Sequence, residues 1–174
     1  KVDKIDFTFG IVTGSGQEEN INKIIDSIED QSIPCYEVII VGDCKVNRKN
    51  TIVKEFKDEG RYFSLCRKKN IITYYALYHN IVFMHDYQVL ATGNPNSPSE
   101  YDRKSWYDSF LNFGDDWDIC SNRQVDSKGE RWVDWALAYD QVRDIPGAEE
   151  NRLFMLPYEV TDLSKFMYCG GQFW

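Results

Sequence analysis

Ile81-Val82-Phe83-Met84-His85-Asp86-Tyr87 is the stretch that decides the fold. Its apolar residues run without alternation, the pattern of a strand covered on both faces and therefore of a parallel sheet flanked by helices. A strand of that kind delivers its last side chains into the crevice where open α/β sheets bind ligands. An Asp beside a His at that point is placed to hold a divalent cation.

Upstream, the chain has the layout that such a sheet needs. Phe7 to Thr13 is a short apolar strand, broken by Thr13-Gly14-Ser15-Gly16. Ser15 and Glu18 fit a capping box. Ile21, Ile24, Ile25 and Ile28 then follow at the spacing of an amphipathic helix. Tyr36 to Val41 is a second buried strand, so this first unit predicts a right-handed βαβ crossover. Ile52, Val53 and Phe56 mark a second helix that Gly60 stops, and Arg61 to Leu65 a third strand. Ile72, Tyr75, Ala76 and His79 line a third helix. The first ninety residues thus predict βαβαβαβ and a mostly parallel sheet.

Beyond that point the pattern changes. Gly93-Asn94-Pro95-Asn96-Ser97-Pro98-Ser99 is a loop by composition. Trp106, Phe110 and Phe113 sit at helical spacing. Trp117 to Asn122 and Glu130 to Trp135 predict a hairpin turning at Asp126-Ser127-Lys128-Gly129, and Phe166 to Cys169 a last strand. The expected organisation is one domain over 1–174. Residues 1–90 form a nucleotide-binding half, and 91–174 a smaller mixed or antiparallel part on the acceptor side.

Composition narrows the function. The 174 residues are 43% hydrophobic and 28% charged, enough for one domain with a real core. A net charge of -8 excludes a nonspecific nucleic-acid binder, which needs a basic face. An acidic protein that takes a diphosphate must supply local positive charge from a cation, Lys and Arg, or backbone amides. The five cysteines form no C-x-x-C pair, which argues against a zinc site, and their odd count argues against a closed disulfide framework. Reduced thiols imply a cytoplasmic protein, peripheral to a membrane at most, and no segment is long enough to span one. The chain starts at Lys1 and stops in the strand-like Gln172-Phe173-Trp174, as expected of a trimmed fragment.

Phe9-Gly10-Ile11-Val12-Thr13 with Glu18-Glu19-Asn20, Ser27-Ile28-Glu29-Asp30-Gln31-Ser32-Ile33-Pro34 before Tyr36 to Asp43, Arg67-Lys68-Lys69-Asn70, and the strand into His85-Asp86-Tyr87 occur in a specific order and spacing. In that order the chain resembles the family 2 glycosyltransferases, over almost its whole length. The resemblance implies a GT-A-like, Rossmann-like α/β fold and transfer of a sugar from a nucleotide diphosphate, with a UDP-sugar expected. It places Thr13, Gly14 and Glu19 against the nucleoside and Asp43 on a uracil-type base. It sets Arg67, Lys68, Lys69 and Asn70 on the diphosphate side. His85-Asp86-Tyr87 occupies the position of the family's DXD motif, with Asp86 as the ligand of Mn²⁺ or Mg²⁺ and His85 beside it.

Two features depart from the family pattern. DXD motifs carry two carboxylates, and this segment carries one, Asp86. The acidic base that follows a Gly-containing strand in inverting members has no counterpart after Gly170-Gly171, so it is expected beyond Trp174. The acceptor is then a hydroxyl on a glycan, lipid or protein, with Trp106, Trp132 and Trp135 as candidate sugar platforms or core residues. A silent nucleotide-sugar-binding module is the first alternative. A nucleotidyltransferase is the second, disfavoured because Thr13 to Asn20 holds no basic residue. Gly14-x-Gly16 is a poor phosphate loop, and Asp115-Asp116-Trp117-Asp118 fits a polar turn entering a strand.

Overall fold

The computed structural model describes residues 3–58, 61–96, 103–114, 126, 128, 135–138, 154–155 and 166–168. The chain divides into two compact units, Lys1–Trp117 and Asp118–Trp174. The first is built on a four-stranded parallel sheet of β1 (Phe7–Val12), β2 (Tyr36–Gly42), β3 (Thr51–Glu55) and β4 (Asn80–His85), in the order β3-β2-β1-β4. Its helices are α1 (Glu18–Glu29), α2 (Arg61–Tyr75) and α3 (Trp106–Phe113). The expected α/β fold with a mostly parallel sheet and flanking helices is the one observed.

Every residue of β1 is buried, because β1 is central and covered on both faces. In-register pairing puts Gly10, Val12, Ile39, Val41, Ile81 and Phe83 on one face. There Val12, Ile39 and Val41 pack with Ile72 of α2, ringed by Phe56, Leu65, Ile71, Ile81 and Phe83. On the other face Phe7 and Phe9 meet α3 as an aromatic cluster. The Phe7 and Trp106 rings are 5.0 Å apart, Phe7 and Phe110 5.6 Å, and Trp106 and Phe110 4.5 Å. Fully burying one such aromatic or one Ile contributes about 1.5–3 kcal/mol. Trp106 is therefore core, 8% exposed, and is corrected from a sugar platform.

α1 and α3 are tied together by polar groups that cannot face water. Buried Gln31 donates from Nε2 to the Ser27 and Ala91 carbonyls, and its Oε1 accepts from the Tyr107 amide at 3.1 Å. Ser27 Oγ accepts from the Leu90 amide at 3.0 Å. The chain leaving β4 is thereby fixed against α1. At the opposite, N-terminal edge of the sheet, buried Glu37 takes the Thr8 hydroxyl at 2.7 Å and also the Leu77 amide, closing the turn into β4.

Three expected elements are corrected. The capping box at Ser15 does not form: α1 starts at Glu18 with Gln17 as its N-cap and no side-chain cap. Gly16 turns the chain at φ +74°, which delays the helix, and Glu18 Oε1 instead accepts from the Lys45 amide at 3.3 Å. The helix expected at Ile52, Val53 and Phe56 is β3, an edge strand. Its Thr-Ile-Val run of β-branched residues favours the pleated state. The strand expected from Arg61 to Leu65 is the first part of α2, and the helix expected on Ile72, Tyr75, Ala76 and His79 is its last part, which ends at Tyr75. The observed order is therefore βαββαβ, with residues 43–50 joining β2 to β3 without a helix.

In the second unit β5 (Trp135–Ala138) pairs antiparallel with β6 (Phe154–Met155) and with β7 (Phe166–Tyr168), in the order β6-β5-β7. The last strand expected from Phe166 and the antiparallel character of this part both hold. The hairpin expected over Trp117 to Asn122 and Glu130 to Trp135 lies largely outside the described residues, as do Asp115 to Asp118 and Trp132.

Candidate functional site

The order β3-β2-β1-β4 creates a switch point. From β1 the chain moves to β2 on one side and later returns to β4 on the other, so the crevice opens at the C-terminal ends of β1 and β4. Open α/β sheets take their ligands there. Register pairs Val12 with His85, the last residues of the two strands, so the residues that follow them, Thr13 and Asp86, emerge together.

They meet directly. Thr13 Oγ1 donates to Asp86 Oδ2 at 2.9 Å, and the Gly14 amide donates to the same oxygen at 3.4 Å. Both bonds fall on Oδ2, and Asp86 is half-buried; Oδ1 takes no hydrogen bond from the described residues. Two donors on one oxygen also fix the direction of the other.

Thr13 is itself held from behind. The buried ammonium of Lys68 donates to the Thr13 carbonyl at 2.7 Å and pairs with Asp58 at 2.7 Å. Lys68 is 5% exposed, and a buried cation persists only when paired and hydrogen-bonded, as this one is. Gly42 lets β2 come close enough to complete the arrangement. A Cβ at that position would lie 2.2 Å from the Thr13 carbonyl oxygen. Asp58 and Gly42 were not singled out from the sequence. Asp58 follows a strand that had the periodicity of a helix, and the use of Gly42 is a matter of tertiary approach.

The remaining expected site residues take distinct places. Asp43 is exposed at the C-terminal end of β2, facing solvent at the same sheet edge. Two strand spacings of about 4.8 Å put it about 10 Å across the sheet from Asp86. Glu19 is in the first turn of α1 and pairs with Lys23 at 2.7 Å. Arg67 and Asn70 lie on the exposed side of α2. Lys69 is buried, its ammonium 5.4 Å from the Phe83 ring centroid, and burial pushes it down to about 8 against a weaker opposing pull from Cys66. His85 stacks on Tyr87, with ring centroids 5.5 Å apart and planes 14° from parallel. The structure therefore gathers Thr13, Gly14, Lys68 and Asp86 into one network, adds Asp43 along the same edge, and leaves Glu19, Arg67 and Asn70 on outer surfaces.

The donor set answers whether a divalent ion fits. No three His, Cys, Asp or Glu side chains converge among the described residues, so a cage made by protein alone is not present there. One directed carboxylate oxygen suits Mg²⁺ or Mn²⁺ that brings phosphate oxygens and water as its other ligands. No described helix is long and apolar enough to cross a membrane.

No protein-family model matches the chain, and no curated protein matches it. Among solved structures, the crystal structure of S. aureus TarS 1-349 aligns at a TM-score of 0.40 and 18% identity. That match covers 49% of this chain and 28% of the other. A superposition that loose says nothing of activity.

Proposed function

We propose that this chain binds a nucleotide-diphosphate sugar, with UDP as the nucleotide, and belongs to a glycosyltransferase that passes the sugar to a hydroxyl acceptor. The observation that carries the reading is the Asp86 carboxylate, held by Thr13 and Gly14 at the switch point of a parallel sheet. It agrees with the family 2 glycosyltransferase pattern read from the sequence. Asp43 would take the base, and its separation from Asp86 suits the length of a nucleoside diphosphate lying across the strand ends.

Asp86 Oδ1 would hold Mn²⁺ or Mg²⁺, an ion that neutralises charge on the leaving diphosphate when bound. The chain's own groups do the rest. Lys68 fixes Thr13, and Thr13 with Gly14 orients Asp86. An anion near Lys69 would favour its protonated form, reversing the effect of burial. Acceptor activation belongs to a carboxylate base. A second reading, a nucleotide-sugar-binding module without transfer, is favoured by the single carboxylate in His85-Asp86-Tyr87.

Calorimetry of UDP binding with Mn²⁺ tests the proposal. Wild-type protein is expected to bind UDP, and chelation of the metal to weaken binding at least about tenfold, equivalent to about 1.4 kcal/mol. Asp86→Ala should remove the metal dependence and leave the fold intact, at a cost of about 1–3 kcal/mol for two hydrogen bonds lost at a half-exposed position. An equal, metal-dependent affinity in the variant would remove the metal role from Asp86. Sugar release from UDP-sugars, with a hydroxyl acceptor, separates the transferase from the silent module.

A further inference from the structure

We infer that Tyr87 is the platform for the transferred sugar and sets preference among donor sugars at this site. The inference rests on the nucleotide-sugar reading and goes beyond it. Tyr87 is 67% exposed, one residue beyond Asp86 at the mouth of the switch-point crevice. Large aromatic side chains normally lose such exposure on folding, and this one is held in place rather than left to fold away. One ring face is stacked on His85 at 5.5 Å and 14°. The backbone beneath is closed by two hydrogen bonds, Gln88 Oε1 accepting from the His85 amide at 2.8 Å and the Gln88 amide donating to the His85 carbonyl at 3.2 Å. The second ring face is therefore presented to solvent on a preorganised turn, which lowers the ordering cost of anything that stacks there.

The position along the sheet edge selects the occupant. Asp43 directly follows β2, Thr13 follows β1, and Asp86 and Tyr87 follow β4, in the spatial order β2-β1-β4. A nucleoside diphosphate whose base is at Asp43 and whose phosphates are at Asp86 has its base two strands away from Tyr87. The group nearest the tyrosine is then the one attached to the second phosphate, the sugar. A pyranose presents a face of C–H groups, and the electron-rich face of an aromatic ring suits it. The position where the family pattern has a second carboxylate thus carries an apolar surface with a hydroxyl at its rim.

The test compares UDP with a panel of UDP-hexoses and UDP-N-acetylhexosamines, by calorimetry with Mn²⁺, on wild type, Tyr87→Phe and Tyr87→Ala. Wild type is expected to bind at least one UDP-sugar about three- to tenfold more tightly than UDP, the range of an aromatic stacking contact. Tyr87→Phe should keep that margin. Tyr87→Ala should lose it while its affinity for UDP itself stays within about twofold of wild type. A margin unchanged in Tyr87→Ala overturns the platform and leaves the nucleotide reading standing. So does a wild type that binds UDP and every UDP-sugar alike. A UDP affinity that falls with the alanine places the ring on the nucleotide instead and overturns the sugar assignment. Absence of all nucleotide binding by wild type overturns both readings together.

Discussion

Lys68 and Lys69 are adjacent in sequence, both buried, and differently provided for. Lys68 has a carbonyl and a carboxylate within 3.0 Å, so its charge is compensated. Lys69 lies near the face of Phe83, and burial pushes its ammonium down to about 8. An unfolded chain holds that proton up to about pH 10.4. Between those two values the unfolded state binds more protons than the folded one, so this residue's contribution makes stability rise with pH. Below pH 8 the folded state carries the whole desolvation penalty. Lys69→Met should therefore melt at a higher temperature than wild type at pH 7, and the gap should close as pH rises from about 8 to about 10.5. Thermal melts of both proteins across that range check it. A gap of constant size would mean that the lysine's packing, not its charge, sets the difference. A lowered melting temperature at neutral pH would mean that the charge stabilises the fold.

The strand ends that form the crevice depend on Gly42, where β2 passes against the Thr13 carbonyl. Gly42→Ala would force two backbones apart, and neither can turn aside as a side chain can. It is expected to destabilise by about 3 kcal/mol, the upper part of the overpacking range, and to weaken UDP binding through the displaced Thr13. Gly10 makes a comparison: the nearest atoms to a Cβ there belong to Ile72, with Cγ2 at 2.4 Å, a wholly buried β-branched side chain with little room to turn, so Gly10→Ala should also destabilise in urea denaturation but leave Thr13 in place. If Gly10→Ala weakened UDP binding as much as Gly42→Ala, the loss could not be assigned to a displaced Thr13. β1, α1, β2 and β4 were legible in the sequence because their buried faces are apolar and their periods clean. Of α2 only the end, at Ile72 and Tyr75, was legible, and burial explains why the rest was not. Ser64, Lys68, Lys69 and Ile72 are all buried, so the helical stripe exists in space but not in hydropathy. β3 was missed for the opposite reason, since Ile52, Val53 and Phe56 mimic a helical spacing over too few residues to exclude a strand. Of the candidate site, Asp86 was legible from the strand-end rule, and Thr13 and Gly14 only through the family resemblance. The Lys68–Asp58 support was not, because Lys68 reads as a solvated helix residue and Asp58 follows a strand with the spacing of a helix.

At the scale of the whole chain, a net charge of -8 opposes the approach of a diphosphate, so any binding must be concentrated at local positive groups or at an added cation. Lys68, beside the crevice, is already engaged by the Thr13 carbonyl and Asp58, so on the proposed reading an added ion would compensate the ligand's charge. The sheet that supports this edge has a further consequence. β1 comes first in the chain yet lies between β2 and β4, and its register with β4 joins Phe7 to Asn80. Pairing with β2 closes a short loop, whereas pairing with β4 must wait for most of the unit to be synthesised, and long-range parallel closure is slow. Until then one side of a ribbon buried along its whole length has no neighbour, a condition that invites wrong partners. The amides of β1 should exchange with deuterium only on global opening, and in pulse-labelled refolding those facing β4 should gain protection after those facing β2. The late arrival of β4 also brings Asp86 to Thr13, so ligand competence should be the last property the nascent protein acquires.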